Sequence, residues 1–228
     1  NGVEADEYNP HVIAHEFGHF LEHRLFRSDG FSTYHSAGDV IDPRAAWSEG
    51  FGYAIAAIAL KNSWNTDTRW DGSKTRIGSA IDISQVPTAI ADQSIYSETT
   101  VQYFLWTLTQ LEKRTDRFFS VMGGGQKNTK GFSNLLSFAS AYKEAYGGEA
   151  QSLNNLRTLW ETNLKQPFDA LCVGACSGTS SDVADVWDVD NDLGKSYASK
   201  LKLGSTSYSE EFWQLYKPLQ FTNSSAAT

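Results

Sequence analysis

The string His15-Glu16-Phe17-Gly18-His19 places two imidazoles and a carboxylate in the spacing H-E-x-x-H. On a helix, residues four apart lie one turn above each other, so both imidazoles can address one ion. Glu16 stands one step round and can take a proton from a water that the metal acidifies, which makes a hydroxide-like nucleophile near neutral pH. The neighbours of the motif are apolar, from Val12 and Ile13 to Phe20, and Gly18 permits close packing. Two neutral imidazoles buried beside a carboxylate are costly unless paired or ligated. One zinc ion per chain is the expected cofactor.

A catalytic zinc commonly has three protein ligands and one open position. Glu49, in Ala46-Trp47-Ser48-Glu49-Gly50-Phe51-Gly52, is the best third ligand, because it is a lone carboxylate among small and apolar residues. The plainer role for it is an ion pair with an arginine such as Arg44. Two other registers compete. His19-Phe20-Leu21-Glu22-His23 fits the inverted pattern H-x-x-E-H, but Glu22 and Arg24 suggest a turn emerging into solvent. The metzincin extension needs Gly where Glu22 stands and His where Leu25 stands, so it fails. His11 and His23 are accordingly expected to be solvated helix residues. Hydrolysis also needs a donor for the developing oxyanion. His35 and Tyr96 are the candidates, with Tyr53 a weaker one.

Local signals define the elements that must position these groups. Asn9-Pro10 is a cap followed by the proline favoured at the first helical position. Val12, Ile13, Phe17, Phe20, Leu21 and Leu25 then form an apolar face, and the helix should run to about Arg27 before Ser28-Asp29-Gly30 stops it. Asp42-Pro43 repeats the start signal, and Ala45, Ala46, Phe51, Ala54, Ile55, Ile58 and Leu60 carry a second helix to about Lys61. Residues 62 to 94 are rich in turn formers and read as mostly loop with one short strand at most. Three more helices are expected, at about Ser97–Lys113, Phe132–Tyr146 and Gln151–Asn163. Gly123-Gly124-Gly125 reads as a flexible connector and lacks the setting of a phosphate loop.

H-E-F-G-H followed some thirty residues later by a W-S-E-G-F helix resembles the gluzincin branch of zinc metallopeptidases, to which thermolysin belongs. The stretch is closer still to exported bacterial proteins classed as zinc peptidases, which share Ser36-Ala37-Gly38-Asp39 and Asp42-Pro43-Arg44 between the motifs. The close resemblance spans about residues 9 to 61, and more weakly Tyr96 to Leu111. It implies His15, His19 and Glu49 as zinc ligands, Glu16 as general base, and a peptide or protein as substrate. Thermolysin-type helices carry an Asp one turn after the ligand glutamate, where this chain has Tyr53. Asp39 or Asp42 would then orient a ligand imidazole, although Asp42 equally reads as a helix cap. Gluzincins also carry a sheet upstream of the motif. Here only fourteen residues precede it, which suggests an excised C-terminal portion or a mature chain.

The fold class expected is mainly α: a zincin-like catalytic domain with the upstream sheet largely absent and few short strands. Residues 1–176 would form that domain, and residues 177–228 an irregular extension packing on it. The chain has 228 residues, 40% of them hydrophobic, with seven Trp, ten Tyr and thirteen Phe, enough for a packed core. A net charge of −8 argues against a nucleic-acid partner. No apolar run approaches the roughly 20 residues that span a bilayer. Cys172 and Cys176 are expected to close a short disulfide, which with the composition suggests export to periplasm, cell surface or medium. The aspartates Asp182, Asp185, Asp188, Asp190 and Asp192 imitate a calcium loop, but Gly194 comes one place late, so a solvated turn is expected. The alternative function is a non-catalytic metal- or protein-binding module on the same scaffold, and a purely structural helical domain is a third.

Overall fold

A computed structural model describes residues 9–30, 35, 39–70, 76–88, 93–128, 132–165 and 168. The cysteines, the aspartate string and the expected extension at 177–228 lie outside the described residues. The architecture is mainly helical. In chain order it contains α1 (Pro10–Leu25), α2 (Pro43–Leu60), β1 (Trp64–Trp70), β2 (Arg76–Asp82), α3 (Glu98–Glu112), α4 (Thr115–Val121), a π-helical turn (Met122–Gln126), α5 (Leu135–Tyr146) and α6 (Ala150–Leu164). Among the described residues, no helix is long and apolar enough to cross a membrane.

The two helices that carry the site start as their sequences dictate. The Asn9 side chain accepts from the His11 N–H at 3.1 Å, and the Asp42 side chain accepts from the Arg44 N–H at 2.8 Å, each with Pro at the first helical position. Helices α2, α3 and α6 end on Lys61, Lys113 and Lys165, all with φ near +54°. This is the left-handed cap that glycine usually supplies. The core lies between α2, α3, α5 and α6, where Trp47, Phe51, Phe104, Phe138 and Trp160 are fully buried. Gly50 lets α3 approach α2 closely: a Cβ there would stand 2.5 Å from Val101 Cβ and 2.8 Å from the Glu98 carbonyl oxygen.

Three expectations fail on this scaffold. The stretch after α2 contains an antiparallel hairpin, with Trp64 opposite Asp82 and Trp70 opposite Arg76. In Trp64-Asn65-Thr66-Asp67-Thr68-Arg69-Trp70 the strand formers alternate with polar residues, a period-2 signal that the turn formers around it obscured. The hairpin is tied to the start of α1, because Asn9 Nδ2 donates to the Thr66 carbonyl at 2.7 Å. Next, Gly123-Gly124-Gly125 is no flexible connector but part of the π-helical turn. Gly125 packs so closely on α5 that a Cβ would meet that of Ala141 at 2.8 Å. Buried Gln126 anchors the turn by donating to the Asn134 carbonyl at 3.2 Å.

The third failure concerns α1. Its apolar face was expected to be buried, yet Ile13, Phe17, Phe20 and Leu25 are each 51–55% exposed. The buried stripe is His11, His15, Gly18 and Glu22, which faces α2 and the hairpin. Polar groups are tolerated in such a stripe when partners meet them: His11 Nδ1 meets Thr66 Oγ1 and Glu22 Oε2 meets Ser48 Oγ, while His15 Nδ1 has no hydrogen-bond partner among the described residues.

Candidate metal centre

Close approach of α1 and α2 depends on two glycines. A Cβ on Gly18 would stand 2.5 Å from Ile55 Cγ2, and one on Gly52 would stand 2.8 Å from His15 Cε1 and Nδ1. The His15 ring therefore lies against the α2 backbone, with the Tyr53 ring centroid 4.3 Å away. Glu49 sits one turn before Gly52 on α2, so this packing also sets its distance from α1.

His15 Nε2 and His19 Nε2 are 3.0 Å apart. Glu49 Oε2 lies 3.3 Å from the first and 3.5 Å from the second. Donor atoms bound tetrahedrally to zinc at 2.0–2.1 Å stand about 3.3 Å from one another. The three edges bracket that value, and two imidazoles with one carboxylate are a donor set that zinc accepts. Among the described residues, these three alone converge as a potential metal-ligating group.

Charge in the cluster is strongly coupled. Burial pulls the His19 imidazole down, but hydrogen bonds and attraction from Glu22 and Glu49 outweigh it and lift the pKa to about 10. Burial would raise the Glu49 carboxyl, yet hydrogen bonds to His15 and His19 and the charges of His19 and His35 hold it well below the usual carboxylate range. The raised His19 pKa favours a proton between these groups when no cation is bound. A divalent ion would replace it.

The group behind His19 is neither Asp39 nor Asp42. Asp39 is exposed, and Asp42 caps α2 and accepts a fork from Arg44 at 3.0 and 2.8 Å. Instead, Ser48 Oγ donates to Glu22 Oε2 at 2.6 Å and lies 3.2 Å from His19 Nδ1. A serine has a single hydroxyl hydrogen. With that hydrogen on Glu22, Ser48 accepts from His19 Nδ1–H, so that it is Nε2 whose lone pair is directed to the cluster once the shared proton leaves. Such tautomer control is the usual task of the group behind a ligating histidine. Glu22 is 1% exposed, so the reading of this turn as emerging into solvent is corrected. His11 is corrected too: it is buried, its Nδ1 lies 3.1 Å from Thr66 Oγ1, and burial lowers its pKa. His23 is exposed, as expected.

The cluster opens into a cavity of about 590 Å³. Glu16 lines it and is exposed; so do His35, Tyr53 and, from the hairpin, Asn65, Thr66 and Asp67. Tyr53 keeps its phenolic proton, since burial and then the charges of Glu98 and Glu49 push its pKa up. Tyr96 does not belong to the site. It is 2% exposed within the core between α2 and α3, and its carbonyl accepts from the Ile41 N–H at 2.9 Å. A tyrosine just before a helix can turn to a site or to the core, and here the apolar packing prevails.

His35 does reach the site. Its Nε2 lies 3.5 Å from Glu49 Oε1, and its Nδ1 lies 3.0 Å from Glu98 Oε2. Glu98 is 3% exposed and was not anticipated. As the first residue of α3 it has an ordinary explanation, since acids favour helix N-termini. Only the fold brings it to His35. The plainer role for Glu49 also lapses, since its carboxylate meets three imidazoles while Arg44 forks onto Asp42.

Compared with known proteins, the chain matches no protein-family model, no curated protein and no solved structure.

Proposed function

We propose that this protein is a zinc-dependent peptidase of gluzincin type, in which His15, His19 and Glu49 hold one zinc ion and Glu16 is the general base. The observation that carries the reading is the spacing of His15 Nε2, His19 Nε2 and Glu49 Oε2 at 3.0, 3.3 and 3.5 Å on the wall of a cavity that Glu16 also lines. Zinc bound there would acidify a water and polarise a carbonyl. Glu16 would take the proton of the attacking water as the C–O bond forms and then deliver it to the leaving nitrogen as the peptide C–N bond breaks, so that the proton ends on the new amino group. Tyr53, protonated and in the same cavity, is an O–H donor available to the developing oxyanion. Ser48 and Glu22 fix the His19 tautomer, and Gly52 seats His15.

The test pairs metal content with turnover. Glu16→Gln should retain zinc at one per chain and lose cleavage of a peptide library by about 10²- to 10⁴-fold. Full activity in that variant with zinc retained would reject Glu16 as base.

A second reading has its own support. The exposed stripe of Ile13, Phe17, Phe20 and Leu25, with Phe17 and Phe20 stacked at 5.7 Å, suits a metal-stabilised module that binds another protein without turnover. That reading predicts zinc binding with no chelator-sensitive cleavage, and loss of partner binding in Phe17→Ser.

A further inference from the structure

Glu98 is a buried carboxylate that the proposed hydrolysis does not use. It is held where it is by packing rather than by solvation, because α3 is pressed onto α2 at Gly50, the residue after Glu49. The His35 ring lies between the two carboxylates. Its Nδ1 is 3.0 Å from Glu98 Oε2, and its Nε2 is 3.5 Å from Glu49 Oε1. Glu49 directs its other oxygen, Oε2, to His15 and His19. The carboxylate is thus divided, with one oxygen on the imidazole pair of α1 and the other on His35.

We propose that Glu98 and His35 form a relay that positions Glu49, holding its carboxylate to one-oxygen ligation of the ion and keeping the remaining coordination position open for substrate and water. This rests on the metal-centre reading and assigns His35 a positioning role through Glu49.

The protons account for the geometry. A bare Nε2 lone pair facing a carboxylate oxygen at 3.5 Å would be repelled, so Nε2 carries hydrogen. Nδ1 and Glu98 Oε2 then share a second proton at 3.0 Å, whether it resides on the ring or on the carboxyl. Burial favours the carboxyl, since it raises the Glu98 pKa, as does the Glu49 charge, against the opposing pull of His35 and His15. In both arrangements the Nε2 hydrogen is on the Glu49 side of the ring, where Nε2 and Oε1 make an ion-pair contact at 3.5 Å. A carboxylate held at one oxygen cannot rotate freely to chelate through both, which would fill the position that a catalytic ion leaves open.

The experiment is a double-mutant cycle read by zinc affinity, measured by competition with a chromogenic chelator, with melting of the metal-free chain as a control for folding. Glu98→Gln and His35→Ala should each weaken zinc by about 10- to 100-fold, the range for loss of a group behind a ligand. The double variant should be no weaker than His35→Ala alone, because Glu98 acts only through the ring. His35→Gln, whose amide can donate from near the Nε2 position, should recover most of the affinity. If Glu98→Gln does not fold, the His35→Ala and His35→Gln pair decides. Wild-type affinity in both Glu98→Gln and His35→Ala, fully additive losses, or equal affinity in His35→Ala and His35→Gln would overturn the relay while leaving the metal centre intact. A wild-type chain that takes up no zinc would remove the centre itself.

Discussion

Gly52→Ala adds one methyl group at the point where His15 rests on α2. The new Cβ would stand 2.8 Å from both Cε1 and Nδ1 of His15 and 3.3 Å from Cγ. Ordinary contact needs at least about 3.5 Å, so the ring must withdraw by roughly 0.7 Å. Two effects on stability oppose each other. Alanine favours a helix over glycine by about 1 kcal/mol, and overpacking costs about 1–3 kcal/mol. The metal-free variant should therefore melt close to wild type, or lie up to about 2 kcal/mol below it. Metal binding has no such offset. A ligand constellation tolerates only about 0.5 Å of displacement, so zinc affinity should fall at least about tenfold, into the range for disturbed ligand orientation. The assay is chelator competition beside thermal unfolding without metal. Gly124→Ala is the matched control, because a Cβ there meets nothing within 4 Å, and it should leave zinc affinity unchanged. Wild-type zinc affinity in Gly52→Ala would refute the claim that the α2 backbone seats the imidazole.

The remaining predictions concern protons and the second layer. The His19 pKa of about 10 lies above its ordinary value, so the metal-free protein should be stabilised by that proton below pH 6.5 and lose the contribution as pH rises through 10, seen as a falling melting temperature. The same proton must leave for zinc to bind, so apparent zinc affinity should rise by about tenfold per pH unit within that window; a flat profile would show that zinc displaces no such proton from His19. Ser48→Ala removes the hydrogen bond to buried Glu22 and the acceptor for His19 Nδ1–H, so stability should drop by about 1–3 kcal/mol and zinc binding should weaken. Unchanged zinc binding there would refute the tautomer assignment. Tyr96→Phe should leave zinc affinity and any cleavage as in wild type, since Tyr96 packs in the core; a selective loss of turnover would return it to the site.

What the sequence revealed was what is local. Asn9-Pro10 and Asp42-Pro43 announce their helices because capping involves only neighbouring backbone. His15 and His19 are legible as a pair because a helix alone brings positions four apart together. Glu49 stood out as a carboxylate in a helix otherwise too small and apolar to solvate one. What stayed hidden depends on partners distant in sequence. The buried side of α1 is its polar stripe, and nothing within residues 10–25 says that Ser48 and Thr66 will meet Glu22 and His11. Glu98 was hidden for the opposite reason, since a helix-start acid already has a sufficient local explanation. The hairpin and the π-helical turn share this cause: Asn9, outside the hairpin, donates to the Thr66 carbonyl within β1, and Gln126 of the turn donates to the Asn134 carbonyl beyond it.

The most direct measurement is anomalous scattering at the zinc edge from crystals grown with zinc, together with elemental analysis of the purified chain. One zinc per chain is expected, with a single peak between His15 Nε2, His19 Nε2 and Glu49 and with Glu16 facing it across the cavity. No peak between those imidazoles, or a Glu49 carboxylate turned away from them, would contradict that expectation.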